Sequence, residues 1–583
     1  MNILLGAVNA KYIHSNPAVY SLRAYAIETG RCKKEEIQVA EYTINQRLED
    51  IRRDLFRRSP QFVGFSCYIW NISVIRSLIP DLARILPGVP IWLGGPEVSF
   101  DCQELLRSVP QVKGVMRGEG EETFASLVQL YQETEGRPSD RELSAIAGLS
   151  FRGEKGRIVE TPDREPLEMD RIPFYYKGIP SEQMEHRIVY YESSRGCPFS
   201  CAYCLSSVEK GLRFRSVSRV LEELDYFLEQ RVPQVKFIDR TFNCRKSHAM
   251  AIWRHILEKD RGITNFHFEI AADLLDGEEL ELLKQMRPGL VQLEIGVQST
   301  NPETLKAIHR PADLEKIRWM TEQIDEGKNI HQHLDLIAGL PFEDFASFQN
   351  SFNQVYAMKP EQLQLGFLKV LKGSPMEAMA KEYGIVSSPN PPYEVLFTPW
   401  LSYGELLSLK GVEEMVEVYY NSCQFVTAVG RLEGEFASPY DMFAALAGYY
   451  EQEGLDQLSH SRMARFEILW NFISSLGLGK EAMEGYRDAL MTDLYLRENA
   501  KSRPSFARDP SDIREQTGRL LKGHQEDPSI LKEYRQMDSS QRNRLFHLEE
   551  MGDGSLLLFD YRDRDPLSYN AMFWKIQTEE DEK

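Results

Sequence analysis

Cysteine is scarce. There are eight in 583 residues, far too few for a disulfide framework, and this points to a reducing, cytoplasmic protein. Long apolar runs are missing as well. No stretch approaches the roughly 18 residues needed to cross a bilayer. The opening Met1-Asn-Ile-Leu-Leu-Gly-Ala-Val8 carries no charged segment and no small-residue cleavage site, so no signal peptide is expected. Positive charge is short: 69 Lys and Arg stand against 88 Asp and Glu, a net charge of −19. Such a surface repels polyanions and argues against nucleic acid as a partner. Repeats and low-complexity tracts are lacking too, apart from a short acidic tail. What remains is ordinary. With 42% apolar and 27% charged residues the chain is globular, and its length allows three or four domains at roughly 150 residues each.

Residues 1–150 alternate. Apolar runs at 2–8, 62–68, 91–93 and 112–116 are separated by helical patterns at 19–29 and 72–86, and a third follows at 122–132. Strand, loop and helix, repeated, predict a Rossmann-like parallel sheet with helices on both faces. Ligands on such sheets bind at the carboxyl ends of the strands. The unusual residues sit there: Gly94-Gly95-Pro96 and Gly118-Glu119-Gly120-Glu121. Residues 151–185 are polar, with scattered Pro and Gly, and read as a linker. A second alternating region, 186–386, has apolar runs at 189–191, 235–239, 266–271, 291–297, 334–337 and 363–370. Six or so parallel strands with crossover helices predict a (β/α)6-type partial barrel. A Pro-rich linker follows, and 400–583 reads as mainly helical with a late hairpin near 556–561. The fold class is α/β.

One motif carries chemistry: Cys197-Pro-Phe-Ser-Cys201-Ala-Tyr-Cys204, directly after an apolar strand. Three thiolates this close converge on one metal centre. Structural zinc needs a fourth ligand, and none lies nearby: Cys244 is forty residues on, and His186 is on the other side of a strand. A redox Cys-x-x-Cys leaves Cys197 without a role. An iron–sulfur cluster on three protein ligands leaves one iron open for a substrate, and the spacing favours this reading. Cys32, Cys67, Cys102, Cys244 and Cys423 read as small buried apolar residues.

Cys-x3-Cys-x2-Cys, with an aromatic Tyr203 before the last Cys, resembles the radical S-adenosylmethionine (radical SAM) superfamily. The resemblance implies a [4Fe-4S] cluster on Cys197, Cys201 and Cys204, whose open iron chelates SAM and cleaves it to a 5′-deoxyadenosyl radical. It also implies an electron donor such as flavodoxin or ferredoxin. Later segments agree. Phe237-Ile-Asp-Arg-Thr-Phe-Asn243 offers Asp239 and Arg240 for the methionine end of SAM. Phe266-His-Phe-Glu-Ile270 offers Glu269 for the ribose. Leu293-Glu-Ile-Gly-Val-Gln-Ser299 resembles the family's fourth strand and adds Glu294 and Gln298, and Asp335 to Glu343 resembles the fifth. Each position also has a plainer reading. Asp239 can cap a helix, Glu269 can pair with a lysine, and Gly296 and Gly339 can serve packing alone.

A parallel sheet in front of such a barrel resembles the cobalamin-binding domain of class B members. The resemblance rests on Val63-Gly-Phe-Ser-Cys-Tyr68, Leu93-Gly-Gly-Pro-Glu97 and Val115-Met-Arg-Gly-Glu-Gly-Glu121. It places Ser66, Tyr68, Trp70, Asn71, Gly94, Gly95, Gly118, Glu119 and Gly120 at the cobalamin. The signature Asp-x-His-x-x-Gly is absent; His14 lies in the first loop without the Asp and the Gly and reads as a surface or structural residue. Many members hold cobalamin without a lower histidine ligand, and Tyr68, Trp70 and Asn71 would then lie near the lower corrin face. The C-terminal region looks like a domain of unknown function attached to relatives. Its aromatics, Tyr419, Tyr420, Phe466, Trp470 and Phe472, have core spacing.

The expected function is that of a cobalamin-dependent radical SAM methyltransferase acting on an unknown substrate. Three rivals stand beside it. One is a radical SAM enzyme whose N-terminal domain binds no cobalamin. The second is a methylthiolating enzyme with another cluster on Cys32, Cys67 and Cys102. The third is a SAM or cobalamin sensor without catalysis, which would need a partner module.

Overall fold

The computed structural model describes residues 1–208, 211–523 and 529–576. The chain forms two units. The first comprises 1–330, 339–344 and 367–402, and the second 331–338, 345–366 and 403–583.

The first unit opens with seven strands: β1 (Ile3–Asn9), β2 (Ile37–Thr43), β3 (Phe62–Ser66), β4 (Ile91–Gly94), β5 (Gly114–Met116), β6 (Leu149–Arg152) and β7 (Ile158–Glu160). They form one sheet in the order β2-β1-β3-β4-β5-β6-β7. The first five are parallel, which fits the near-continuous apolar sequences of β1, β3, β4 and β5; β1 is buried along its whole length, while the edge strand β2 is buried at only alternate positions or fewer. Alternate residues feed two cores. Ile3, Leu5 and Ala7 join Trp92, Phe124 and Tyr131 on one face. Leu4 and Val8 join Phe65, Leu78 and Leu93 on the other. Each fully buried side chain of this kind contributes roughly 1.5–3 kcal/mol. Helices 17–28 and 121–133 cover the first face, and helices 48–57 and 72–85 the second. Asn16 caps the first helix, its Oδ1 accepting from Val19 N at 3.4 Å, with Pro17 at the first helical position.

β6 and β7 are antiparallel and extend the sheet to residue 160. They lie largely in the stretch that reads as linker. β7 has only three residues, none fully buried, so it shows no burial periodicity to read.

A second run of strands follows in the same unit: β8 (Val189–Tyr191), β9 (Ser194–Arg195), β10 (Arg213–Phe214), β11 (Gln234–Phe237), β12 (Asn265–Ile270) and β13 (Val291–Gln298). β8, β11, β12 and β13 are parallel neighbours in sequence order. Helices 217–229, 246–259 and 277–284 connect them. β9 and β10 form a separate antiparallel pair.

The second unit holds strands 331–338 and 362–367, helix 345–356 between them, and then a run of helices from 403 to 497. A three-stranded antiparallel sheet (546–550, 556–564, 571–576) follows where one hairpin is expected. Tyr419, Phe466 and Phe472 are buried, as their spacing predicts. Tyr420 donates to Pro360 O, and Trp470 stacks on Phe506 at 4.8 Å. The fold class is therefore α/β with a mainly helical C-terminal part. No helix among the described residues is long and apolar enough to cross a membrane.

Candidate functional site

The cysteine loop leaves β9 through Gly196. Its φ is +90°, and a Cβ there would lie 2.5 Å from Gly211 O, so only glycine allows the two ends of the loop to meet. Cys201 is buried, while Cys197 and Cys204 are half-buried. Backbone bonds hold the loop: Ala202 N donates to Ile308 O at 2.9 Å, and Met376 N donates to Ala202 O at 2.9 Å. Arg310 reaches in, its Nη1 3.7 Å from Cys201 Sγ and 3.4 Å from Tyr203 OH, while Nη2 donates to Gly296 O. Burial raises the Cys201 pKa, and Arg310 opposes that by favouring the thiolate. Cys197 Sγ lies 3.5 Å from Thr241 Oγ1.

Next to this loop lies a cavity of about 720 Å3. One wall comes from the carboxyl ends of the first sheet: Ser66, Tyr68, Trp70, Gly94, Gly95, Gly118, Glu119 and Gly120. The facing wall holds Arg195, Gly196, Leu205, Ser206, Arg240 and Glu269. Gly95 has φ +112°, and a Cβ there would strike Cys67 O at 2.5 Å, so this turn admits glycine alone. Tyr68 and Trp70 stack at 4.4 Å and 6°. His14 lines the cavity, but its Nδ1 is 2.5 Å from Tyr190 OH and burial lowers its pKa.

Several expected residues lie outside the cavity wall. Asn71 is fully buried. Its Oδ1 accepts from Tyr68 N at 2.8 Å, and its Nδ2 donates to Val8 O and Ser66 O, each at 3.0 Å. It shapes the turn that presents Tyr68 and Trp70. Asp239 is also buried and faces inward. It accepts from Ser193 N (2.9 Å), Ser193 Oγ (2.6 Å) and Ser194 Oγ (2.5 Å). Burial pushes its pKa up to about 6. Asp239 thus fixes the segment that leads into the cysteine loop. Glu294 pairs with Lys236 at 2.9 Å and His267 at 2.8 Å. Burial works to raise its pKa, but His267 and Lys236 outweigh it and hold the carboxyl down at about 2. Gln298, at φ +73°, packs its amide over Gly296.

Three features escaped the sequence. Arg195 and Arg310 are single arginines whose partners across the fold, Glu119 and Glu121 for the first and Cys201 and Tyr203 for the second, are distant in the chain. Ile172-Pro-Phe-Tyr-Tyr176, inside the presumed linker, lines the cavity. Its aromatic run was the available signal. The remaining cysteines are settled by their surroundings. Cys32 sits in the core on one face of the first sheet, and Cys67 and Cys102 in the core on the other. They cannot share a cluster. Cys244 is half-buried and close enough to Cys197 to feel its charge.

The donor set fits an iron–sulfur cluster: three thiols on one short loop, one of them beside a guanidinium. The glycine-rimmed strand ends fit a large ligand that approaches backbone closely. An α/β protein with a glycine-rimmed sheet and the flanks of a three-thiol loop on one cavity defines a class. The chain matches the B12 binding domain model over residues 3–128, the Radical SAM superfamily model over 191–355, and the model of a protein of unknown function, DUF4080, over 381–554. The chain thus carries a B12-binding domain followed by a Radical SAM domain, each matched by its own family model.

An uncharacterized methyltransferase of Pyrococcus horikoshii is 30% identical over 268 residues, covering 44% of this chain and 56% of the relative. The cobalamin-dependent radical SAM methyltransferase TokK of Streptomyces tokunonensis is 27% identical over 367 residues, 57% of this chain and 51% of TokK. The chain thus spans just over half the length of these curated relatives. The structure of the cobalamin-dependent S-adenosylmethionine radical enzyme OxsB with aqua-cobalamin bound matches at TM-score 0.57 and 15% identity, over 91% of this chain and 83% of OxsB. The two share a fold.

Proposed function

We propose that the protein is a cobalamin-dependent radical SAM methyltransferase. The observation that carries this reading is the shared cavity, with the flank of the cysteine loop on one side and the glycine-rimmed strand ends on the other. When bound, the cluster supplies the electron that cleaves SAM, and cobalamin carries the methyl group. Cys197, Cys201 and Cys204 are the ligands, and Arg310 favours the thiolate of Cys201. Arg240 and Glu269, at the ends of β11 and β12, present a cation to the carboxylate of SAM and an acceptor to its ribose hydroxyls. Ser66, Tyr68, Trp70, Gly94, Gly95, Gly118 and Gly120 form the corrin wall. The aromatic rings of Phe174, Tyr175 and Tyr176 keep water from the cavity. A flavodoxin or ferredoxin serves as reductant.

The test is anaerobic reconstitution with iron, sulfide and hydroxocobalamin, then desalting. About four irons and a retained corrin band are expected, with both iron and cleavage of SAM to 5′-deoxyadenosine lost in Cys197/Cys201/Cys204→Ala. Transfer of label from methyl-labelled SAM to a product then establishes the methyl step. Four irons with no corrin band would overturn the cobalamin part of the reading.

A further inference from the structure

The pair β9–β10 closes the base of the cysteine loop, with Arg195 opposite Arg213. Both arginines point at the Gly118-Glu119-Gly120-Glu121 turn. Arg195 Nη2 is 2.7 Å from Glu121 Oε1, its Nη1 is 3.3 Å from Glu119 Oε2, and its Nε is 2.9 Å from Glu192 Oε2. Arg213 pairs with Glu119 through Nη2, and its Nη1 is 3.3 Å from Glu119 Oε2. One carboxylate oxygen of Glu119 therefore serves both guanidiniums. The same Glu121 oxygen takes a second donor, since Ser21 Oγ donates to its Oε1 at 2.9 Å. The clasp is well shielded: the side chains of Arg195, Glu119 and Glu121 are 14%, 13% and 6% exposed. A surface pair of this kind would be worth little. A shielded one, with a guanidinium shared among three carboxylates, fixes geometry.

The position matters more than the strength. Arg195 is two residues before Cys197, and Glu119 and Glu121 flank Gly120 on the facing wall of the cavity. We propose that Arg195 is a positioning residue that clasps the cluster loop to the corrin-binding turn, so that filling one site tightens the other. This rests on the function proposed above. Arg213 adds a second ion pair to the same turn through Glu119, and Ser206, Leu205 and Gly196 line the cavity without a charge of their own. By linkage, whatever orders the cysteine loop through the clasp lowers the ordering cost of the turn, and the reverse.

The test has two arms. The first uses cofactor-free protein and amide hydrogen exchange. In Arg195→Gln and in the milder Glu121→Gln, exchange is expected to rise together in 118–121 and 196–208 and to stay unchanged in β13. A rise in only one of the two segments overturns the clasp. The second arm compares the Kd for hydroxocobalamin, read from the corrin spectrum, with and without the reconstituted cluster. The wild type is expected to bind about tenfold more tightly with the cluster, within the usual range of such couplings. Both variants are expected to show a ratio near one while still binding iron and corrin, and Arg195→Lys, which keeps the charge but not the fork, a ratio in between. Variants that keep the wild-type ratio overturn the proposal. A wild type that retains no corrin overturns the function proposed above and the coupling with it, whereas the exchange arm reports on the clasp alone.

Discussion

Arg310 is the side chain that most changes what the cysteine loop can do. It brings a cation to 3.7 Å from Cys201 Sγ and shares itself with Tyr203 and Gly296 O. A charge-assisted contact of this kind is worth about 1.5–3 kcal/mol. Arg310→Met is therefore expected to lose iron on desalting far more readily than the wild type, and Arg310→Lys to lose it to a lesser degree. Iron per chain, with a thermal melt to confirm folding, is the measurement; equal retention would refute the role. Other residues show why reading single positions has limits. The three cysteines stood out in the sequence because their spacing alone gathers three thiols on one short loop. Asp239 and Asn71 were not, because a polar residue at a strand end has the same sequence signature whether it faces the cavity or, as here, turns back onto backbone amides or carbonyls. Arg195 and Arg310 carry no signal of these roles until the fold brings Glu119 and Glu121 to the first and Cys201 to the second.

At the scale of elements, four of the five parallel strands of the first sheet were legible because each is a compact apolar run, whereas β2, with Gln38 and Glu41 among its apolar residues, and the helix 48–57 after it were not. The antiparallel additions β6 and β7 were not, being only four and three residues long, with no buried residue in β7. The helices of the C-terminal unit bring a further consequence. Asp493, on helix 480–497, accepts from Thr427 N and Ala428 N, each at 2.9 Å, and caps helix 426–432. Burial pushes its carboxyl up to about 7 in spite of those bonds. The unfolded chain would titrate it near 3.9. The folded state therefore binds this proton more tightly. The group's stabilisation is full below about pH 4 and is lost as pH rises through about 7. Glu121 has the opposite sign. Burial works against it, but Arg195 holds its carboxyl down at about 2, so its contribution is present above about pH 4.5 and fades as pH falls toward 2. Melting followed from pH 4 to 8 is expected to show a fall in stability that Asp493→Asn removes. An identical slope in the variant would sink the assignment.

For the whole molecule, the arrangement of cysteines fixes a stoichiometry. With Cys32 on one face of the first sheet and Cys67 and Cys102 on the other, one cluster site remains. Replacing all three by Ser is expected to leave iron at about four per chain after reconstitution. A drop toward zero from a starting value near eight would revive a second cluster. The same view bears on how the chain can be cut. Ile188 N donates to Ile13 O at 2.8 Å, and Ser15 Oγ donates to Ile188 O at 3.3 Å, so the first loop of the N-terminal sheet is stitched to the entry of β8. Tyr176 OH adds a bond to Tyr190 O at 2.6 Å. The N-terminal domain is thus no interchangeable cassette. A graft from a relative that breaks the chain near residue 185 would carry away the needle and leave the thread, and exchanges between family members should take the whole segment through β10 as one inheritance.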